Sequence, residues 1–368
     1  MSEESVPIRL FFDARYVRMD FHDGISRYSV DLGNALAALH PIVLIVSDLR
    51  QLGYFPPGIA YVRSRSPEDA RQSMLAGWLN KHNPDVVYSP LQMLGSFGRR
   101  FHLILTVQDL IYYRHNTPPR NLSRKTRLLW YLYHLTYWPE RTLLRGADMV
   151  AVTSEATRAD IVAAGLTERP MILLPPGPQD LRALLRQPFP AGGEAAPENL
   201  VYIGSYMAYK NVETLIAGMA YLPGRTLHLL SAIPAEREQE LAALIPSGSR
   251  VVFHHGVSDE QYAALLADDA ILVSASLDEG YGMPLAEAMT MGVPVVATDM
   301  PVFREVIGAG GRYFDGHSAR AFADAVSSLD DPGVRRELVQ RGQRHLARLS
   351  WHRSAQTLLD AARRLTGS

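Results

Sequence analysis

The chain contains no cysteine in its 368 residues, which excludes disulfides, thiolate metal sites and a cysteine nucleophile together. It has almost no net charge, −1, so no global field favours nucleic acid or an anionic membrane. No apolar run is long enough to span a bilayer. The first residues, Met1-Ser2-Glu3-Glu4-Ser5, are acidic and lead directly into a strand, unlike a signal peptide. The expected location is therefore the cytoplasm. What is present is the balance of a soluble globular protein, 47% apolar and 20% charged residues. The length is too great for one ordinary core and predicts two domains.

The most informative stretch is 269–305. An apolar run at 270–274 reads as a buried parallel strand. It enters a loop, Leu277-Asp278-Glu279-Gly280-Tyr281-Gly282, and Pro284 then suits the first turn of a helix that closes at Gly292. Val293-Pro294-Val295-Val296-Ala297 is the next strand. Such a unit aims a helix N-terminus, with unpaired N–H groups and partial positive charge, out of the sheet's carboxyl edge, where a phosphate fits. Glu279 and Glu287 flank that end, and carboxylates accept well from sugar hydroxyls. The plainer alternative is that Glu287 complements the helix dipole and Glu279 is solvated.

Elsewhere, strands are predicted at 8–13, 42–47, 85–89, 103–107, 148–153 and 171–174, then at 199–204, 226–231 and 250–255, with helical stretches between them. That alternation predicts parallel α/β sheets. Gly24-Ile25-Ser26-Arg27-Tyr28 follows the first strand and its polar loop, 14–23, where doubly wound sheets place a ligand; a plain turn glycine reads equally well there. Ser154 and its neighbour Thr153 are good helix caps and need no chemistry. Composition rich in Pro, Gly and Ala near 188–198 reads as a linker. His254 and His255 are adjacent on a strand and point to opposite faces, so they make a poor metal site. Within 120–138, Arg120, Arg124, Lys125 and Arg127 precede Trp130, Tyr131, Tyr133, Tyr137 and Trp138. Two readings stand: a helix at a lipid headgroup layer, or a core-facing helix with a solvated basic end.

Glu279 to Met289, with Gly292 to Ala297 behind it, resembles the E-x7-E signature of the retaining GT-B glycosyltransferases of family 4. The resemblance covers nearly the whole chain, most specifically 200–305 and least 50–80 and 180–198. It implies two doubly wound Rossmann-like domains facing across a cleft. The first, acceptor-side domain would span 1–180 and recover a C-terminal helix at 351–368 that crosses back, with Trp351 as its anchor. The donor domain would span 195–350. The implied reaction is retaining, metal-independent transfer of a mannose- or glucose-type hexose from a GDP- or UDP-linked donor to a glycan or lipid-linked acceptor hydroxyl, with no further cofactor. The absence of any Asp-x-Asp agrees with that.

By the same resemblance Glu279 holds the donor sugar and Glu287 the ribose. The backbone of Gly280, Tyr281, Gly282, Met283, Pro284 and Leu285 faces sugar and phosphates. Gly204 and Ser205 open the turn whose Lys210 binds the diphosphate, and Gly256 and Val257 line the base. Gly24 and Arg27 approach the phosphates from the first domain, where Gln108 and Asp109 border the reacting carbon. The family usually has His where this chain has Gln108, and Gln cannot change charge near neutral pH. That leaves a sugar-nucleotide epimerase or hydrolase, or a non-catalytic nucleotide-sugar binder, as alternatives. Under the lipid-surface reading the enzyme is peripheral on the inner face of the plasma membrane. Nucleic acid is not an expected partner.

Overall fold

Short, nearly all-apolar runs suit parallel strands covered by helices on both faces, and they assemble here into one sheet in each half of the chain. The computed structural model describes residues 8–19, 24–67, 69, 74–118, 123–185 and 195–367. In the first sheet the strands are β1 (Leu10–Asp13), β2 (Ile42–Val46), β3 (Ala60–Arg63), β4 (Val86–Ser89), β5 (His102–Val107), β6 (Met149–Val152) and β7 (Met171–Leu173). Their order is β3-β2-β1-β4-β5-β6-β7, and every pairing is parallel. The second sheet holds β8 (Asn199–Tyr202), β9 (Thr226–Leu229), β10 (Arg250–Phe253), β11 (Ala270–Ser274), β12 (Val295–Thr298) and β13 (Arg312–Phe314). It runs β10-β9-β8-β11-β12-β13, again all parallel. Both orders are doubly wound and reverse direction once, between β1 and β4 and between β8 and β11, and such a reversal leaves a crevice at the strands' carboxyl ends.

Two compact units result, residues 1–177 with 349–368, and residues 178–348. The first unit's core joins Leu10, Phe12, Leu32, Leu36, Leu44 and Tyr88 to Leu358, Leu359 and Ala362 of the last helix, Trp351–Thr366. That helix lies along Gly24–Leu39, with the Trp351 ring edge-on to Tyr28 at 5.4 Å. Gly177 touches its start so closely that a Cβ there would sit 2.4 Å from the Trp351 nitrogen. The second core is built around Leu200, Leu227, Ile271, Val296 and Phe322.

Strand ends fall one or two residues short of several predicted limits, because the final residues turn out of the sheet as loops. The edge strand β3 carries no apolar run that would announce it, and three of its four residues are exposed. Gly24 opens the helix rather than a separate turn. Residues 20–23 of the preceding loop, Arg120 of the basic stretch and most of the predicted linker lie outside the described residues. The stretch 120–138 is two elements, Arg124–His134 and a second helix that begins at Trp138. Arg124–His134 has one half-buried face, where Trp130 and His134 pack on Tyr112 and His134 on Tyr113, while Leu128, Leu129 and Leu132 on the rest of it are exposed, so it is core-facing along one side only.

Candidate functional site

The second sheet's reversal point is where the charged residues gather. Tyr206 to Asn211 form the loop after β8, and Ala275 to Gly282 the loop after β11. Lys210 ends one loop and Glu279 lies in the other, and the Nζ of Lys210 donates to Oε1 of Glu279 in an ion pair only 15% exposed on either side. Ser276, wholly buried, donates to the same oxygen at 3.0 Å. The Leu277 amide donates to the Tyr209 carbonyl at 2.7 Å, so the loops are also joined through backbone.

Glu279 leads through Gly280 and Tyr281 to Gly282, which precedes the helix Met283–Met291 with Pro284 in its first turn. Gly282 has φ +96°, and a Cβ there would approach Phe303 Cε1 to 2.8 Å, so conformation and space both require glycine. Glu287 is buried, 3% exposed, on that helix beside buried Leu285, Ala286 and Ala288. Gly292 closes the helix at φ +85°. Burial drives the Tyr281 phenol well above its usual value, with Glu305 adding to the effect, so it stays a neutral hydroxyl.

The other residues of the expected donor set stand at the same carboxyl edge. The Gly204 amide donates to Ser231 Oγ at 3.0 Å, and the Ser205 carbonyl accepts from the Tyr202 hydroxyl at 2.6 Å. Gly256 has φ +106° and donates to the Leu230 carbonyl at 2.9 Å, followed by Val257 and the helix cap Ser258. His254 does not face away from other imidazoles: its Nε2 lies 3.0 Å from Nδ1 of His228 on β9, whose Nε2 meets Asn199. Among the described residues no group of three or more His, Asp or Glu could hold a metal ion.

The first unit's reversal point holds a buried ion pair. Asp13, at the end of β1, grips Arg15 through two 2.7 Å hydrogen bonds, both side chains fully buried, and Ser89 of β4 reaches Asp13 at 3.3 Å. Gln51 ties the Arg15 and Val17 carbonyls at 3.1 and 2.8 Å. Gly24 and Arg27 lie in the first turn of the following helix, and Ser26 beside them accepts from the Arg18 amide at 2.9 Å. Gln108 follows β5. Its side-chain amide donates to the Pro90 carbonyl at 2.9 Å, while its own carbonyl accepts from Thr153 at 3.0 Å. Asp109 accepts from the Ile111 amide at 3.0 Å. The buried Asp13–Arg15 pair was not foreseen from sequence, although an Asp-x-Arg at the end of an apolar strand is a visible mark of it.

A cavity of about 490 Å³ opens at the opposite, amino edge of the second sheet, among Ala270, Met291, Pro294 and Arg336, apart from these residues.

Two doubly wound parallel units, the second with a cation and two carboxylates at its carboxyl edge, make this a protein of the GT-B fold. A profile for glycosyl transferases group 1 matches residues 197–331, and one for glycosyltransferase family 4 matches 22–178. The chain belongs to family 4 of the glycosyltransferases. It is 26% identical over 239 residues to a D-inositol 3-phosphate glycosyltransferase of Arthrobacter sp., covering 60% of this chain and 57% of that one. It is 30% identical over 169 residues to O-antigen chain mannosyltransferase B of Escherichia coli, 44% of each chain. The matched segments thus span about half the length of these relatives. The sucrose-phosphate synthase structure from Thermosynechococcus elongatus superposes with a TM-score of 0.71 at 21% identity, over 98% of this chain and 99% of that one.

Proposed function

We propose that the chain is a retaining, metal-independent glycosyltransferase that moves a mannose- or glucose-type hexose from a GDP- or UDP-linked donor to an acceptor hydroxyl in glycolipid or polysaccharide assembly. The observation that carries this reading is the contact between Lys210 and Glu279 across the second sheet's reversal point, with Glu287 buried on the helix that follows. A diphosphate that draws the Lys210 ammonium toward itself frees the oxygens of Glu279 to accept from sugar hydroxyls. The amides before Met283–Met291 add positive potential on the other side of the phosphates, and Glu287 accepts from the ribose.

In the transfer the bond from the sugar's anomeric carbon to the phosphate oxygen breaks, and the diphosphate leaves with the electron pair. The acceptor oxygen bonds to the same face of that carbon, and its proton passes to the departing phosphate. Preorganised donors, chiefly Lys210, stabilise the leaving charge. Gln108 is a hydrogen-bonding residue in this scheme and takes no part as an acid or base.

Calorimetric titration of UDP, GDP, ADP and their hexose conjugates tests the donor assignment. One nucleotide should bind preferentially to the wild type, unchanged by EDTA, and lose about tenfold to hundredfold affinity in Glu287→Ala, as for a charge-assisted hydrogen bond. Absence of binding to any of them removes the donor site.

A peripheral lipid contact is the second part of the proposal. Leu128, Leu129, Leu132, Leu135 and Trp138 are all exposed, Leu129 and Trp138 each by 68%, beside Lys125 and Arg127. Apolar and aromatic side chains next to cations match an anionic lipid surface. Sedimentation with anionic vesicles should carry down the wild type and leave Leu129→Glu/Leu132→Glu in solution; equal recovery of the two excludes the contact.

A further inference from the structure

Asn211 follows Lys210 with φ +53°, in the left-handed region that glycine enters most easily and asparagine more easily than other residues bearing a Cβ. The residue also precedes the helix Val212–Gly218, where an asparagine ordinarily caps, yet its side chain makes no cap hydrogen bond. Glycine would meet the backbone demand with less strain. The carboxamide is engaged elsewhere. Its Nδ2 donates to the Ala275 carbonyl at 3.1 Å and to the Gly316 carbonyl at 2.7 Å. Its Oδ1 accepts from the Thr214 hydroxyl at 2.9 Å. One side chain therefore joins the loops that leave β8, β11 and β13: it is next to Lys210 in the first and meets the second at Ala275, four residues before Glu279.

We infer that Asn211 is a positioning residue: its amide holds the Lys210 and Glu279 loops at the spacing a nucleoside-diphosphate sugar needs. The inference rests on reading that pair as the donor site. The chemistry asks for two N–H donors on one short side chain aimed at two carbonyls, which among residues of this length only asparagine supplies. Aspartate would set a carboxylate against two carbonyl oxygens. Glycine would keep the turn and lose the tie.

The test uses the full chain with Asn211→Gly, Asn211→Asp and Lys210→Ala, read by calorimetric titration of UDP and GDP and by amide hydrogen exchange. Asn211→Gly should unfold within a few degrees of wild type, because it relieves strain as it removes hydrogen bonds. It should nonetheless bind the preferred nucleotide about tenfold more weakly, the loss of one or two neutral hydrogen bonds. Exchange should quicken at 276–280 and stay unchanged at 259–267. Asn211→Asp should bind more weakly still at pH about 8, then regain affinity relative to Asn211→Gly as pH falls to about 4.5, because the two facing carbonyls raise its carboxyl and, once protonated, it offers one donor again. A merely structural role lowers stability and leaves affinity unchanged. Wild-type affinity and exchange in Asn211→Gly overturn the inference. If Lys210→Ala binds as well as wild type, or wild type binds neither nucleotide, the donor reading fails; the exchange at 276–280 then decides the positioning role alone.

Discussion

Glu140 shows how burial sets a charge. Its carboxyl is fully buried and accepts from the Tyr113 hydroxyl at 3.2 Å, among the rings of Tyr113, Tyr133 and His134. Burial pushes it up to about 7, and the hydrogen bonds from Tyr113 and Gln92 offset only part of that. The folded chain thus holds this proton more tightly than the unfolded one. The contribution to stability is whole below about pH 4.3 and is lost as pH rises through about 7, on the order of 3 kcal/mol. Glu140→Gln should abolish that dependence and make the first unit more stable than wild type at pH about 8, measured by urea unfolding at pH about 5.5 and 8. A parallel loss with pH in wild type and variant would show that Glu140 does not carry it. The His228–His254 pair works in the other direction. Burial, with each imidazole's histidine neighbour, lowers both, so its contribution is present above about pH 6.5 and fades as pH falls.

The helix Met283–Met291 depends on one left-handed residue for its entry. Gly282→Ala meets both φ +96° and the Phe303 ring, and should cost about 1–3 kcal/mol in unfolding free energy. It should also weaken nucleotide binding, since the loop carrying Glu279 must shift to clear Phe303. A variant of wild-type stability and affinity would mean the loop tolerates the added methyl. Much of this element was legible in advance. Pro284 and Gly292 mark the two ends of the helix, and Glu279 and Glu287 lie close enough in the chain to share one loop and one turn. Arg124–His134 was legible only in composition: aromatic and basic residues suit a core margin or a surface equally well, and the helix has a half-buried aromatic side as well as an exposed apolar one.

Across the molecule, the last helix shares the first unit's core although some 170 residues of the other unit intervene in the chain. Leu358 is fully buried against that core, and Leu358→Ala should cost about 2–5 kcal/mol, read as a loss of stability in the first unit with the second unit's transition unchanged. A shift confined to the second unit would contradict this division. What residues specify over a few positions, namely the apolar strands, the glycine-bounded helix and the acidic loop, could be read without coordinates, because propensity and steric limits act locally. Asn211 meeting carbonyls 64 and 105 residues away, or Asp13 meeting Ser89, could not. Those contacts exist because the strand orders place β8 beside β11 and β1 beside β4, with β13 two strands beyond β11 in the same sheet, and strand order is settled by how helices and sheets bury their apolar faces together.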